Sequence, residues 1–219
     1  MMNLQESESA SSPKLCPKVI IEGARLTLKT EIAFELSENS HFVGQRKYRY
    51  HSPIISAEWT AFTDFPGGRG LINFEPHEEE RALETYHIWE RLFELLRYYS
   101  WIVDRFHLST RMYQMRTYGR DYDFSWLEKS LCSLGFHLVF CTRDAPSFEE
   151  IKRLRSIKSG GPEQYYQLET FLDEQSFMKR LVAESALPLL ELDVSDNDAK
   201  RAAGKIVEWM DRTGGLRTP

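Results

Sequence analysis

The first candidate for chemistry is a run of eight residues, Gly23-Ala24-Arg25-Leu26-Thr27-Leu28-Lys29-Thr30. Its glycine, lysine and threonine have the spacing of the pattern G-x-x-x-x-G-K-[ST]. A loop of that kind wraps successive backbone N–H groups around a phosphate at the start of a helix. Its lysine reaches the outer phosphates and its threonine hydroxyl ligates magnesium. Leu28 stands at the second glycine of the pattern, where glycine gives backbone freedom and lets the phosphate approach closely. The plainer reading of the same run is a strand–loop–helix junction with a solvated lysine.

A second constellation is Val103-Asp104-Arg105-Phe106, followed by Arg111 and Arg116. An aspartate at a strand end can hold magnesium directly or through water, and an arginine can clamp a phosphoryl group with two hydrogen bonds. A surface Asp-Arg pair is the alternative. A third is the basic stretch over residues 149–164, with Lys152, Arg153, Arg155 and Lys158, preceded by Arg143 and broken by Gly160-Gly161-Pro162. Arginines delivered by a closing segment, here Arg153 and Arg155, stabilise charge in a phosphoryl-transfer transition state. A solvated helix face with Glu149 and Glu150 beside Arg153 reads equally from the spacing. Glu58 ends an apolar run and, as an alternative to Asp104, could take a proton from a hydroxyl acceptor; Phe62, Phe65 and Phe74 follow it and could stack a base. His107 reads as a local hydrogen-bonding residue. The fragment Arg46-Lys47-Tyr48-Arg49-Tyr50 is too short to make a nucleic-acid surface in an acidic chain.

The elements that must position these groups alternate. Apolar runs of the buried-strand kind are expected at 18–22, 53–59, 100–106, 136–142 and 187–194. Helical spacing is expected at 29–37, 77–99, 109–118, 124–134, 147–158, 164–185 and 196–212. Ser147 with Glu150 three residues on reads as a capping box. Five strands alternating with helices make a parallel sheet covered on both faces, with ligands beyond the carboxyl ends of the strands.

Glu22-Gly23 ahead of Lys29-Thr30, then Asp104-Arg105-Phe106-x-x-Ser109-x-x-x-Tyr113-Gln114, resembles the thymidylate kinase and deoxynucleoside kinase group. The resemblance implies an α/β P-loop NTPase fold with about five parallel strands and a short basic lid at 149–164. It also implies ATP as donor, with Mg2+, and a nucleoside, nucleoside monophosphate or related hydroxylated acceptor. By that resemblance residues 23–30 bind the donor, Lys29 and Thr30 meet its phosphates, and Thr30 and Asp104 hold the metal. Arg105 bridges donor and acceptor phosphates, while Ser109, Tyr113 and Gln114 lie near the acceptor. Arg25, Leu26 and Leu28 stand where the group has Asp, Gly and Gly. A second reading is therefore a pseudokinase, keeping the fold as a nucleotide-binding or regulatory module. The expected partners are a nucleoside-like small molecule and, in a homodimer, a second copy of the chain.

Composition bounds these readings. Of 219 residues 42% are hydrophobic and 13% aromatic, enough for a sizeable core. The net charge of -5 gives no overall attraction to nucleic acid or an anionic membrane, so local cations must meet any polyphosphate. Cys16, Cys132 and Cys141 lie far apart with no CxxC pair, which suits a reducing compartment and argues against zinc. No apolar run approaches the ~18 residues that span a bilayer, and no leader is visible, so the expectation is a cytoplasmic protein. Residues 1–17 are rich in Ser and Glu and read as a disordered tail before a domain at 18–219.

Overall fold

In the computed structural model, residues 14–45, 50–58, 60, 70–158 and 167–217 are described. Most of the expected tail, the fragment 46–49, Phe62, Phe65 and the Gly160-Gly161-Pro162 break lie outside them.

Five strands form one parallel sheet in the order β2-β3-β1-β4-β5: β1 (Lys18–Gly23), β2 (Ile54–Ser56), β3 (Trp101–Asp104), β4 (Phe136–Thr142) and β5 (Leu189–Asp193). The three central strands are apolar on both faces because helices cover both. Along β1 the faces alternate. Val19 and Ile21 pack with Ile32, Ala33 and Leu36 of α1 (Lys29–Glu38) and with Ala203 and Ile206 of α8 (Ala199–Arg212). Ile20 faces the other way, into a larger core with Tyr86 and Phe93 of α3 (Glu79–Leu95), Leu108 of α4 (His107–Tyr118), Leu131 of α5 (Ser125–Ser133) and Met178 of α7 (Leu168–Glu184). A short α2 (Ser40–Val43), which the sequence did not suggest, follows α1, and α6 (Ala145–Lys158) follows β4.

Several expected boundaries move for identifiable reasons. The third strand stops at Asp104 because Arg105 takes a left-handed conformation (φ 61°) that turns the chain out of the sheet. The helix expected at 77–99 starts as a single 3-10 turn, Pro76–Glu78, capped reciprocally by Glu75 and Glu78. The capping box expected at Ser147 is absent. Asp144 caps α6 by accepting from Ser147 N at 2.8 Å, and the Ser147 hydroxyl donates to Ser195 O at 2.7 Å. Residues 14–17, expected within the tail, join the fold. Leu15 bridges antiparallel to Arg217, and buried Cys16 donates its N–H to Leu216 O at 3.0 Å.

All crossovers bring the strand ends to one edge, and there Gly23 sits against β4. A Cβ on Gly23 would lie 2.6 Å from Thr27 Oγ1 and 2.7 Å from Cys141 O. Gly23→Ala should therefore lower the stability of the fold by roughly 2 kcal/mol or more, read from urea unfolding curves, since backbone must shift to admit the methyl group.

Candidate functional site

The loop between β1 and α1 closes on its own lysine. Lys29 is 5% exposed, and its Nζ donates to Ala24 O at 2.6 Å and Thr27 Oγ1 at 3.2 Å. Thr27 in turn donates to Ala24 O at 2.9 Å. Burial, reinforced by the neighbouring Arg105 cation and opposed by Asp104, lowers the Lys29 ammonium from 10.5 to about 8. Leu26 (φ 67°) and Leu28 (φ 56°) both occupy the left-handed region that favours glycine. Leu28 packs against the cluster formed by α1, α8 and the sheet, and Leu26 against Phe148 and Phe171. The altered positions thus keep a glycine-type backbone course while their side chains pack against apolar neighbours.

Beside the loop, Thr30 Oγ1 donates to Asp104 Oδ2 at 2.6 Å. The other oxygen, Asp104 Oδ1, is buried and has no hydrogen-bond partner among the described residues. Burial raises the Asp104 carboxyl above its ordinary value, against the pull of Lys29, Thr30 and Arg105. The hydroxyl and the free carboxylate oxygen are ligands of the kind a hard divalent cation takes, and the nearby ammonium carries the charge that attracts a phosphate.

Arg105 is 6% exposed and pairs with Glu58 at 2.9 Å. Its Nη1 reaches toward Gly23 O (3.4 Å) and Ser109 Oγ (3.5 Å). What holds it is Glu22, which is fully buried at the end of β1. Glu22 Oε1 accepts from Phe106 N at 2.9 Å and Ser109 N at 3.1 Å, and Oε2 accepts from Ser109 Oγ at 2.5 Å. The carboxylate sits on the first turn of α4, where N–H groups lack intrahelical partners and the dipole favours an anion.

A cavity of about 340 Å3 opens next to this centre, lined by Arg25, Glu58, Arg105, Tyr113, Arg116 and Glu174 among others. Of the residues expected near an acceptor, Tyr113 lines it. Ser109 is instead fully buried on Glu22. Gln114 is 1% exposed and donates to Ile72 O (3.1 Å) and Phe74 O (3.0 Å), so it fixes the 71–74 segment. Phe74 is fully buried, edge-on to Tyr122, and offers no face to a base.

Arg153 and Arg155 lie exposed on α6, away from the cavity lining. Arg155 Nη2 pairs with Glu31 of α1 at 2.7 Å. Arg143 at the end of β4, 2% exposed, instead supports the loop, its Nε donating to Leu26 O at 3.1 Å. Arg25 points to α7, where Nη2 meets Glu174 Oε1 at 2.7 Å. Glu22, Arg143 and Glu174 were not expected as site residues. Glu22 had a signal, a carboxylate inside an apolar strand, whereas nothing in the sequence ties Glu174 to residue 25.

Over almost its whole length the chain is similar to the YorR protein from Bacillus subtilis, solved in complex with phosphorylated GDP (TM-score 0.60, 14% identity, 90% of this chain and 97% of that one). It is also similar to the thymidylate kinase from Ehrlichia chaffeensis (TM-score 0.50, 15% identity, 91% of this chain and 100% of that one). No protein-family model matches the chain, nor does any curated protein sequence. The chain shares with both proteins a fold of five parallel strands flanked by helices. No helix among the described residues is long and apolar enough to cross a membrane.

Because Glu22 alone satisfies three donors at the start of α4, Glu22→Ala should cost about 3 kcal/mol or more in equilibrium unfolding, leaving Phe106 N, Ser109 N and the Ser109 hydroxyl buried without their acceptor. A loss under ~1 kcal/mol would mean that water replaces the carboxylate freely.

Proposed function

We propose that the chain transfers the γ-phosphoryl group of Mg-ATP to a nucleotide-like acceptor bound in the cavity beside Arg105. The observation that carries this reading is the enclosure of Lys29 by its loop, with the Thr30–Asp104 pair and the Arg105–Glu58 pair against it. Residues 23–30 would receive the donor phosphates, and Thr30 and Asp104 would hold the magnesium, which offsets charge on the phosphates when bound. In free protein Lys29 bonds a carbonyl and a hydroxyl of its own loop, and a phosphate oxygen would exchange for them. Arg105, positioned through Glu22, neutralises charge developing on the transferring group. Phosphoryl transfer asks a protein chiefly for this positioning and electrostatics.

Glu58 is the better candidate for the base than Asp104. It lines the cavity and is half exposed, whereas Asp104 is buried on Thr30 and does not line it. Arg153 and Arg155 remain candidates for a closing segment, which requires Arg155 to release Glu31. The module reading leans on Leu26 and Leu28, but both pack against apolar neighbours while Lys29 takes the loop interior, an arrangement that favours the enzyme.

A second copy of the chain as partner finds support on α3, where Ile88, Leu92 and Leu95 form an exposed apolar stripe. Light scattering should then give twice the chain mass for the wild type and the mass of one chain for Ile88→Glu with Leu95→Glu, both side chains being exposed in the single chain. A monomeric wild type at micromolar concentration would exclude the pairing.

The functional test uses Lys29. Its ammonium is at about 8 in the free protein, and a bound phosphate must raise it. At pH 8.5 Mg-ATP binding should therefore take up a fraction of a proton, an uptake that fades below pH 7, where Lys29 is already charged. Titration calorimetry in buffers of different ionisation enthalpy reads it. Lys29→Ala should abolish both the uptake and turnover while the fold persists. Unchanged affinity and rate in that variant would refute the donor site.

A further inference from the structure

We propose that Arg25, with its own backbone N–H and the ring of Phe171, forms an anion seat at the cavity mouth, and that in the free protein Glu174 occupies it as an internal stand-in for a phosphate ester. The proposal rests on reading the cavity as the acceptor site, and it gives Arg25, a variable position of the loop pattern, a role facing that cavity.

The geometry of the seat is that of a bound oxyanion. Arg25 Nη2 meets Glu174 Oε1 at 2.7 Å, and Nε meets Oε1 and Oε2 at 3.1 and 3.2 Å. The Arg25 backbone N–H adds a longer contact to Oε2 at 3.4 Å. The guanidinium lies 5.0 Å from the centroid of the buried Phe171 ring, which fixes its plane. A planar arginine fork holds a phosphate through two oxygens just as it holds a carboxylate, and a dianion gains more from it than a monoanion. Glu58 and Glu174 are outnumbered on the cavity wall by Arg25, Arg105 and Arg116, so an incoming dianion meets a surplus of positive charge.

The seat can change occupant without undocking α7. The next residue, Gln175, accepts from Arg143 N at 2.8 Å and donates to Arg143 O at 2.9 Å, which pins α7 to the end of β4. Arg143 also supports Leu26 O at 3.1 Å. Release of Glu174 therefore needs a side-chain rotation. Arg25 is the accessible partner, its side chain 36% exposed against 9% for Glu174.

Occupation of the seat by Glu174 reduces the apparent affinity for any anion by the fraction of time the seat is open. The test is titration calorimetry with inorganic pyrophosphate, with circular dichroism as a check on folding. Glu174→Gln should tighten pyrophosphate about 10-fold, as expected when the competitor holds the seat about nine-tenths of the time. Arg25→Gln should weaken it about 10-fold, and the double variant should follow Arg25→Gln. Glu174→Asp, which shortens the reach while keeping the charge, should also tighten binding, so the proposal can be tested even where Glu174→Gln folds poorly. Unchanged or weaker binding in a folded Glu174 variant, with the wild type binding normally, overturns the seat and leaves the phosphate site standing. Absence of binding in both wild type and Glu174→Gln overturns the seat and the phosphate-site reading together.

Discussion

The site depends on one buried carboxylate. Glu22 closes the central strand β1 and binds the first turn of α4 through Phe106 N, Ser109 N and the Ser109 hydroxyl. Without an acceptor there, those donors would be orphaned in a region that excludes water. With it, the chain can leave β3 at Asp104, pass through the left-handed Arg105 and enter a helix at once. That tight exit puts the Asp104 carboxylate beside Thr30 and the Arg105 guanidinium beside Gly23 and Glu58. The Arg105 guanidinium is thus aimed by a carboxylate that holds the turn around it.

Around this anchor the charges are arranged before any ligand arrives. Lys29 and Arg105 share one small volume, and their proximity together with burial depresses the lysine. Asp104 moves the other way, raised by burial although two cations stand near it. Such a cluster is costly in the free protein, because each group has lost water and keeps incomplete partners: Asp104 Oδ1 has none among the described residues. Phosphate and a divalent cation are the species that would supply what is missing. On the proposed reading, charge preorganised in this way needs no rearrangement at the moment of reaction.

The fold was legible because its signals are local. Apolar runs such as Val19-Ile20-Ile21 and Leu138-Val139-Phe140 read as buried strands, and Gly23, Lys29 and Thr30 kept their spacing. What failed depended on tertiary context. Phe74 looked like a base-stacking residue because aromatics near a strand end do either job; only packing on Tyr122 assigns it to the core. Gln114 sits in the motif segment, but its amide is consumed by the carbonyls of Ile72 and Phe74. Ser147 matched a capping box by spacing, yet Asp144 was the stronger acceptor one turn earlier. Glu174 lies 149 residues from its partner Arg25, a separation no local pattern bridges.

The two leucines alter how the loop can work. In the usual pattern glycine lets the backbone adapt as phosphate enters. Leu26 and Leu28 hold left-handed conformations that cost about 1–3 kcal/mol each for a residue with a side chain. Burial of a leucine side chain contributes a similar ~1.5–3 kcal/mol when complete, and the half-buried Leu26 and Leu28, packed against Phe148, Phe171 and the α1–α8 cluster, offset part of that cost. The same contacts that make the conformation affordable make it hard to change. A loop built this way is set in shape by the core beneath it, and Arg143 adds to the rigidity by holding Leu26 O. On the proposed reading, freedom to respond to a phosphate lies in side chains above the loop, Lys29 and Arg25, whose present partners are a loop carbonyl and Glu174.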